Sequence, residues 1–354
     1  MAWKIKSKPE DFVVREMIHD ETEESWKEKM RRIRGLAPEK KEERYAWLTM
    51  KKEDADFFRA IEEIAKRLSI STRDIGYAGT KDRRAVTYQT ISVPADKAGD
   101  AVSLKIPGVS FSGLRYRNRP IKLGEHEGNS FEIAVRGITR KERAAVENGL
   151  SAIKARGFVN LFGGQRFGSA SGSNDSVGRK LVHGDIEGAA KELIASGGSC
   201  RDCVEARMKA HLKRRPGDYM GALRIAPLRM LKLFVHAYQS RIWNGVAQEY
   251  AKSSRENTLI PVVGYMTDVR THPKVRGLLQ DALDREKIGP EDFRNAAFKE
   301  LSSRGTERDF IVVPGNMEWE WSDEKNEAVL MLRFSLPKGS YATELVRQLE
   351  KPEN

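Results

Sequence analysis

The sequence has only two cysteines in 354 residues, so a disulfide framework is excluded. It also lacks long apolar runs. The best window, 228–246, is interrupted by Arg229, Lys232, His236, Arg241 and Asn244, whereas a membrane-spanning helix needs about 18 or more apolar residues in a row. No membrane segment is therefore expected. The first dozen residues carry Lys4, Lys6, Lys8, Glu10 and Asp11 in place of an apolar signal core, which gives the expectation of a cytoplasmic protein. No HExxH, GxSxG or dinucleotide-binding fingerprint occurs, so metalloprotease, serine hydrolase and dinucleotide readings have no footing. Acid is the last deficit: 51 Asp and Glu against 63 Lys and Arg leave a formal charge of +12. A polyanionic partner is the leading expectation.

At roughly 150 residues per domain the length fits about two domains, and 39% hydrophobic residues suffice for a core. Phe12 to Ile18 reads as a strand, followed by an almost wholly charged run from Asp20 to Arg44, broken by Gly35 and Pro38. Tyr45 to Met50 alternates like a strand. Asp54 is then expected to cap a helix carrying Phe57, Ile61, Ile64 and Leu68 at helical spacing. A glycine-punctuated loop, Ile75 to Asp82, leads into a β-rich run from Val86 to Val93.

Strict alternation from Leu114 would place Arg115, Arg117 and Arg119 on one strand face, pointing at phosphates. Gly128-Asn129-Ser130 reads as a turn before a strand from Phe131 to Val135, and Thr139 to Glu142 is a capping box for a helix that ends at Gly157. The middle third is mainly helical, clearest from Pro227, where Leu228, Leu231, Val235, Tyr238, Ile242 and Val246 form one stripe. Strands return at Phe310 to Val313 and Ala328 to Leu336, and Ser340 opens a last helix. This β/α, helical, β/α order fits an insertion into one sheet domain, or equally three small domains.

The loop Gly76-Tyr77-Ala78-Gly79-Thr80-Lys81-Asp82 looks like a phosphate-binding loop but fails its spacing, with two residues between the glycines and Thr80 ahead of Lys81. What remains is Asp82 beside Lys81, Arg83 and Arg84. Neighbouring cations favour the carboxylate, so Asp82 is expected to be ionised and available as nucleophile or base; an ordinary turn aspartate is the simpler alternative. Phe131 reads first as a core residue, and as a base-stacking platform only in the company of a side-chain amide such as Asn129. Asn160 to Gly168, containing Gln165, Arg166 and Phe167, suits either RNA contact or an interdomain connection. Cys200 and Cys203 form a lone CxxC with no finger-like histidine spacing, so no metal is expected.

These blocks together resemble the tRNA pseudouridine synthase D (TruD) family, in its archaeal type. The resemblance runs through Lys6 to Glu16, Gly76 to Asp82, Gly128 to Phe131, Asn160 to Gly168, Tyr238 to Ser240 and Phe334 to Thr343, in the family's order. It implies an α+β pseudouridine-synthase fold, a mixed and mostly antiparallel sheet flanked by helices. An inserted α/β domain is expected at 159–308, between catalytic parts at 1–158 and 309–354. The implied reaction isomerises a uridine of tRNA to pseudouridine, at position thirteen in the D arm, without cofactor or metal.

By the same resemblance Asp82 is the catalytic residue, with Lys6, Glu16, Asn129, Phe131 and Phe334 around the substrate. RNA contacts are assigned to Lys81, Arg83, Gln165, Arg166, Phe167, Gln239 and Arg308, beside the Arg115, Arg117 and Arg119 stripe. RNA is expected in a cleft between the catalytic and inserted domains, with tRNA, and other RNAs besides, as partners of a monomer. Two competing readings are a catalytically silent tRNA-binding protein on this scaffold and a nucleobase glycosylase using Asp82 to activate water.

Overall fold

A computed structural model describes residues 3–18, 43–168, 174–196, 203–324 and 327–350. The charged run from Asp20 lies almost wholly outside these residues, as does Cys200. The chain divides into two compact units: a sheet unit of Met1–Arg156 with Val313–Gly339, and a helical unit of Gly157–Val312 with Ser340–Asn354. In chain order the strands are β1 (Phe12–Ile18), β2 (Tyr45–Glu53), β3 (Gly76–Tyr77), β4 (Val86–Pro94), β5 (Val109–Arg117), β6 (His126–Ile138), β7 (Phe158–Val159), β8 (Leu259–Val262), β9 (Thr306–Asp309), β10 (Ile311–Val312), β11 (Gly315–Glu324) and β12 (Glu327–Pro337).

The sheet unit orders its strands β11-β12-β6-β1-β4-β2-β5, with β3 paired to β4. All pairs are antiparallel except β1 with β4. Helix α1 (Phe57–Leu68) packs Phe57, Ile61, Ile64 and Leu68 on Ala46, Leu48 and Met50 of β2 and on Ile91 and Val93 of β4. Its cap is Asp56, which accepts from the Arg59 amide, rather than the expected Asp54. Strand β2 runs on to Glu53, and Asp54 turns the chain at a φ of 43°. After the short α2 (Ala98–Ser103), helix α3 (Arg143–Arg156) reaches the other end of the sheet, where Glu147 accepts the indole N–H groups of Trp319 and Trp321.

Residues paired across neighbouring strands share a face, and the register carries the α1-covered face to Val14, Phe131 and Leu332. The opposite face is solvated where it carries the Arg15–Glu132 and Arg333–Glu320 ion pairs, as an antiparallel sheet allows, and covered around Trp47 by Ala78 and Ile121. Gly128 and Asn129 lie within β6, paired with Met17 and Glu16, and are not the expected turn. Strand β11 was not among the expected elements; its Trp and acidic residues mask the alternation.

The helical unit holds α4 (Asn174–Val182), α5 (Ile186–Ser196), α6 (Val204–Arg214), α7 (Tyr219–Leu223), α8 (Leu228–Ser253), α9 (Arg276–Glu286) and α10 (Ala342–Glu350). Two small sheets, β7 with β10 and β8 with β9, complete it. Its core is organised by α8, which buries Leu231, Val235, Tyr238, Ile242 and Val246; Leu228 at its start is exposed, contrary to the stripe expected. The division differs from the expected boundaries at the C-terminus. Helix α10, expected to close the catalytic domain, belongs with the helical unit because the Gln348 amide donates to Val159 O at 2.8 Å and accepts from Val159 N at 3.0 Å. Among the described residues no helix is long and apolar enough to cross a membrane.

Helix α4 approaches α8 so closely that a Cβ on Gly178 would sit 1.9 Å from the Phe234 carbonyl oxygen. Gly178→Ala is therefore expected to cost about 1–3 kcal/mol of stability by forcing the two helices apart, read as a lower denaturation midpoint of the helical unit.

Candidate active site

Three lysines converge on the loop between β3 and β4. The first arrives on the N-terminal arm. Lys4 exchanges two main-chain hydrogen bonds of 2.9 Å with Arg136, whose guanidinium grips the buried Asp11 carboxylate through contacts of 2.9 to 3.1 Å. Asp11 also accepts from the Lys8 amide at 3.0 Å. With both flanks pinned, the Lys6 ammonium meets Asp82 Oδ2 at 2.6 Å and lies 4.2 Å from the centre of the Phe12 ring.

The second lysine, Lys52 at the end of β2, has no solvent exposure and donates to the main-chain oxygen of Asp82 at 2.6 Å. Burial pulls its pKa below the ordinary lysine value, against the pull of Asp82, Asp56 and Asp54. The third, Lys81, reaches Glu16 Oε1 at 2.6 Å, with its side chain 7% exposed and that of Glu16 fully covered. The other Glu16 oxygen accepts from the Thr90 amide at 3.2 Å. Lys81 is thus an internal anchor of the loop, which corrects its expected place among the RNA contacts.

Register sets the floor beneath this loop. Lys52, Thr87, Val14, Phe131 and Phe334 follow one another across five strands in one row, and Glu16, Asn129 and Leu336 belong to the next. Phe131 and Phe334 are stacked with centroids 5.5 Å apart, and the Phe12 ring meets Phe131 edge-on at 6.2 Å. Both stacked rings are buried, so Phe334 occupies one face of Phe131. Among the described residues, the buried side-chain polar atoms without a hydrogen-bond partner are Thr87 Oγ1, Gln89 Oε1, His126 Nδ1 and Asn129 Oδ1. All four sit on β4 and β6, and Gln89 also donates to Gly79 O in the loop at 3.2 Å. Burial and Lys81 lower the His126 pKa, which favours the neutral ring.

The remaining expected RNA contacts separate into exposed and buried groups. Arg83 is exposed beside the loop, with Asp54 4.0 Å away. Arg115 is exposed and lines a recess of about 220 Å³ with Trp47, Thr49 and Thr90. Arg117 and Arg119 lie over the Trp47 ring at 5.7 and 5.5 Å. The stripe of three does not hold as expected, since β5 ends at Arg117 and Arg119 clamps both Glu125 oxygens at 2.8 and 2.9 Å.

In the helical unit Gln165, Arg166 and Phe167 form a 3-10 turn. Gln165 is exposed, Arg166 donates to Ser240 Oγ at 3.2 Å, and Phe167 packs partly buried on the core. Gln239 and Arg308 are corrected. Gln239 is buried and donates to Val263 O and Ser303 Oγ, while Arg308 donates to the Asn160 main-chain and side-chain oxygens and lies 4.1 Å from the Phe162 ring centre. Burial pulls the Arg308 pKa down to about 10, and its half-buried guanidinium is engaged within the helical unit by Asn160.

Lys52, Thr87, Gln89 and His126 were missed from sequence. Alternation through Ala46, Leu48, Met50 and Lys52 was a usable signal, because it puts Lys52 on the apolar face. Among the described residues no cluster of His, Cys, Asp and Glu forms a metal-ligand set.

The family model described as tRNA pseudouridine synthase D (TruD) matches residues 1–203, 197–254 and 245–349. A tRNA pseudouridine synthase D of Geobacter metallireducens is 31% identical over 345 residues, covering 82% of this chain and 85% of its own. A relative of the same designation from Thermococcus sibiricus is 28% identical over 98% of this chain and 94% of its own. A crystal structure under that family designation, from Methanosarcina mazei, superposes with a TM-score of 0.72 at 24% identity, covering 99% of this chain and 94% of that one.

Removing one partner of the Glu16–Lys81 pair strands a buried charge. Lys81→Met is expected to cost about 3–5 kcal/mol, with Glu16→Gln/Lys81→Met recovering much of the loss in urea unfolding; equal losses in the two variants would count against a buried ion pair.

Proposed function

The chain belongs to the tRNA pseudouridine synthase D family, and we propose that it isomerises a uridine of tRNA to pseudouridine, at position thirteen of the D arm, with Asp82 as the catalytic residue. The observation that carries this reading is the Asp82 carboxylate held by Lys6 at 2.6 Å above a sheet face with four unpartnered buried polar atoms. A base taken out of its stack presents N–H and carbonyl groups along one edge. Partners of that kind would satisfy atoms that are costly to leave unpaired.

The isomerisation breaks the bond between C1′ and N1, turns the uracil, joins C1′ to C5, and moves the C5 proton to N1, so atoms and electrons balance without an external reactant. Asp82 acts on the ribose or on the ring, and Lys6 keeps the carboxylate charged and oriented. Phe131, backed by Phe334, borders the uracil, and Asn129 bonds its edge. Glu16 shapes the pocket through its hold on Lys81. The tRNA body is held by Arg83, Arg115 and Arg117 of the sheet unit and by Gln165, Arg166 and Phe167 of the helical unit.

Asp82→Asn is expected to abolish turnover on an unmodified tRNA transcript while leaving tRNA affinity within about threefold, as differential loss of transition-state stabilisation requires. Adduct-dependent reverse-transcription stops would map the product. Release of free uracil would instead mark a glycosylase.

Lys52→Met should lower kcat by about tenfold to a hundredfold by letting the carboxylate shift, with a smaller change in KM. Because burial lowers the Lys52 pKa from 10.5, its ammonium is lost at a lower pH than an ordinary lysine's. The wild-type rate is accordingly expected to fall on the alkaline side, and that limb should vanish from the residual activity of Lys52→Met.

A further inference from the structure

Helix α6 carries a basic surface that the site above does not use. Its inward stripe is Val204, Met208 and Leu212, of which Met208 is fully buried and the other two pack on the core of the helical unit. At 100° per residue the outward arc places Lys209 and Lys213 along one edge and Arg207 and Arg214 along the other, with Ala206 and Ala210 between them. All four cations are exposed, and among the described residues none forms an ion pair. Arg214 makes one local bond, to the Ala210 carbonyl at 3.4 Å. The helix has one carboxylate, Glu205 in its first turn, on the side toward the buried stripe.

We propose that this face of α6 binds the phosphate backbone of a double-stranded stem of the tRNA substrate, an inference that rests on the function proposed above. Two rows of cations spanning about 10 Å of helix axis, with small side chains between them, let a sugar–phosphate strand lie close while ammonium and guanidinium groups reach its anions from both sides. A folded RNA stem is read mainly through phosphates and shape, which this surface matches. The arc lacks the large aromatic or aliphatic anchors on which protein partners depend. It equally lacks the apolar residues that an interfacial helix would sink into lipid.

The test uses the full chain and an unmodified tRNA transcript, comparing wild type with the Arg207→Gln/Lys209→Gln/Lys213→Gln/Arg214→Gln variant between about 50 and 300 mM salt. Affinity near physiological salt is expected to fall about tenfold or more, and the slope of log affinity against log salt to become shallower by about two to four, with the loss in kcat/KM carried by KM. Lys209→Arg/Lys213→Arg should keep both slope and affinity.

If the fourfold variant melts early, Lys209→Gln/Lys213→Gln gives half the effect on a surface that still keeps its buried stripe. Wild-type affinity and slope in the variants would overturn the proposal. So would loss of binding to phosphatidylserine vesicles with tRNA binding intact, which would make the face a membrane contact. A wild-type protein without tRNA affinity would overturn the proposed function itself, whereas wild-type turnover with unchanged variants would overturn the role of α6 alone.

Discussion

The loop from 78 to 85 is irregular, and its geometry depends on lysine ammonium groups that come from three directions. Lys6 arrives from the N-terminal arm, Lys52 from the end of a core strand, and Lys81 from the loop itself. The Lys52 and Lys81 contacts use charge where water is scarce and are costlier to break than a surface pair, whereas the Lys6–Asp82 pair stays partly open to solvent. The rest of the sheet unit serves these three anchors. Arg136 and Asp11 fix the arm, β2 ends where Lys52 can enter, and β1 supplies Glu16.

This arrangement explains why one sheet face is divided. At its ends, helices α1 and α3 cover apolar residues and tryptophans. In the middle, Thr87, Gln89 and Asn129 replace aliphatic side chains, and beside them the stacked Phe131 and Phe334 form an apolar wall. Buried polar atoms without partners lower stability. The opposite face carries paired charge at β1, β6, β11 and β12 and a small buried cluster around Trp47 on β2.

The net charge of +12 is a sum, not a map. The buried Lys52 and the half-buried Arg136 and Arg308 contribute to it while holding carbonyls and carboxylates inside the fold. Arg119 spends its guanidinium on Glu125. Among the exposed cations of the described residues are Arg83, Arg115 and the four on the outer face of α6.

Composition and periodicity alone determined the strands at β1, β2, β4 and β12, the helices α1 and α8, and the basic character of the chain, because these depend on residue counts and on patterns within a few residues; the α+β fold class came only with the family resemblance. Asp82 and Lys6 were legible only through six blocks read together. What sequence could not decide were contacts between segments distant along the chain: that Lys52 reaches Asp82, that Lys81 turns inward to Glu16, that Phe334 covers Phe131, and that Arg308 bonds Asn160. A lysine or arginine has the same local signal whether it faces water or a carboxylate. Only the register of β1, β4, β6 and β12, set by burying one face, brings those partners within bonding distance.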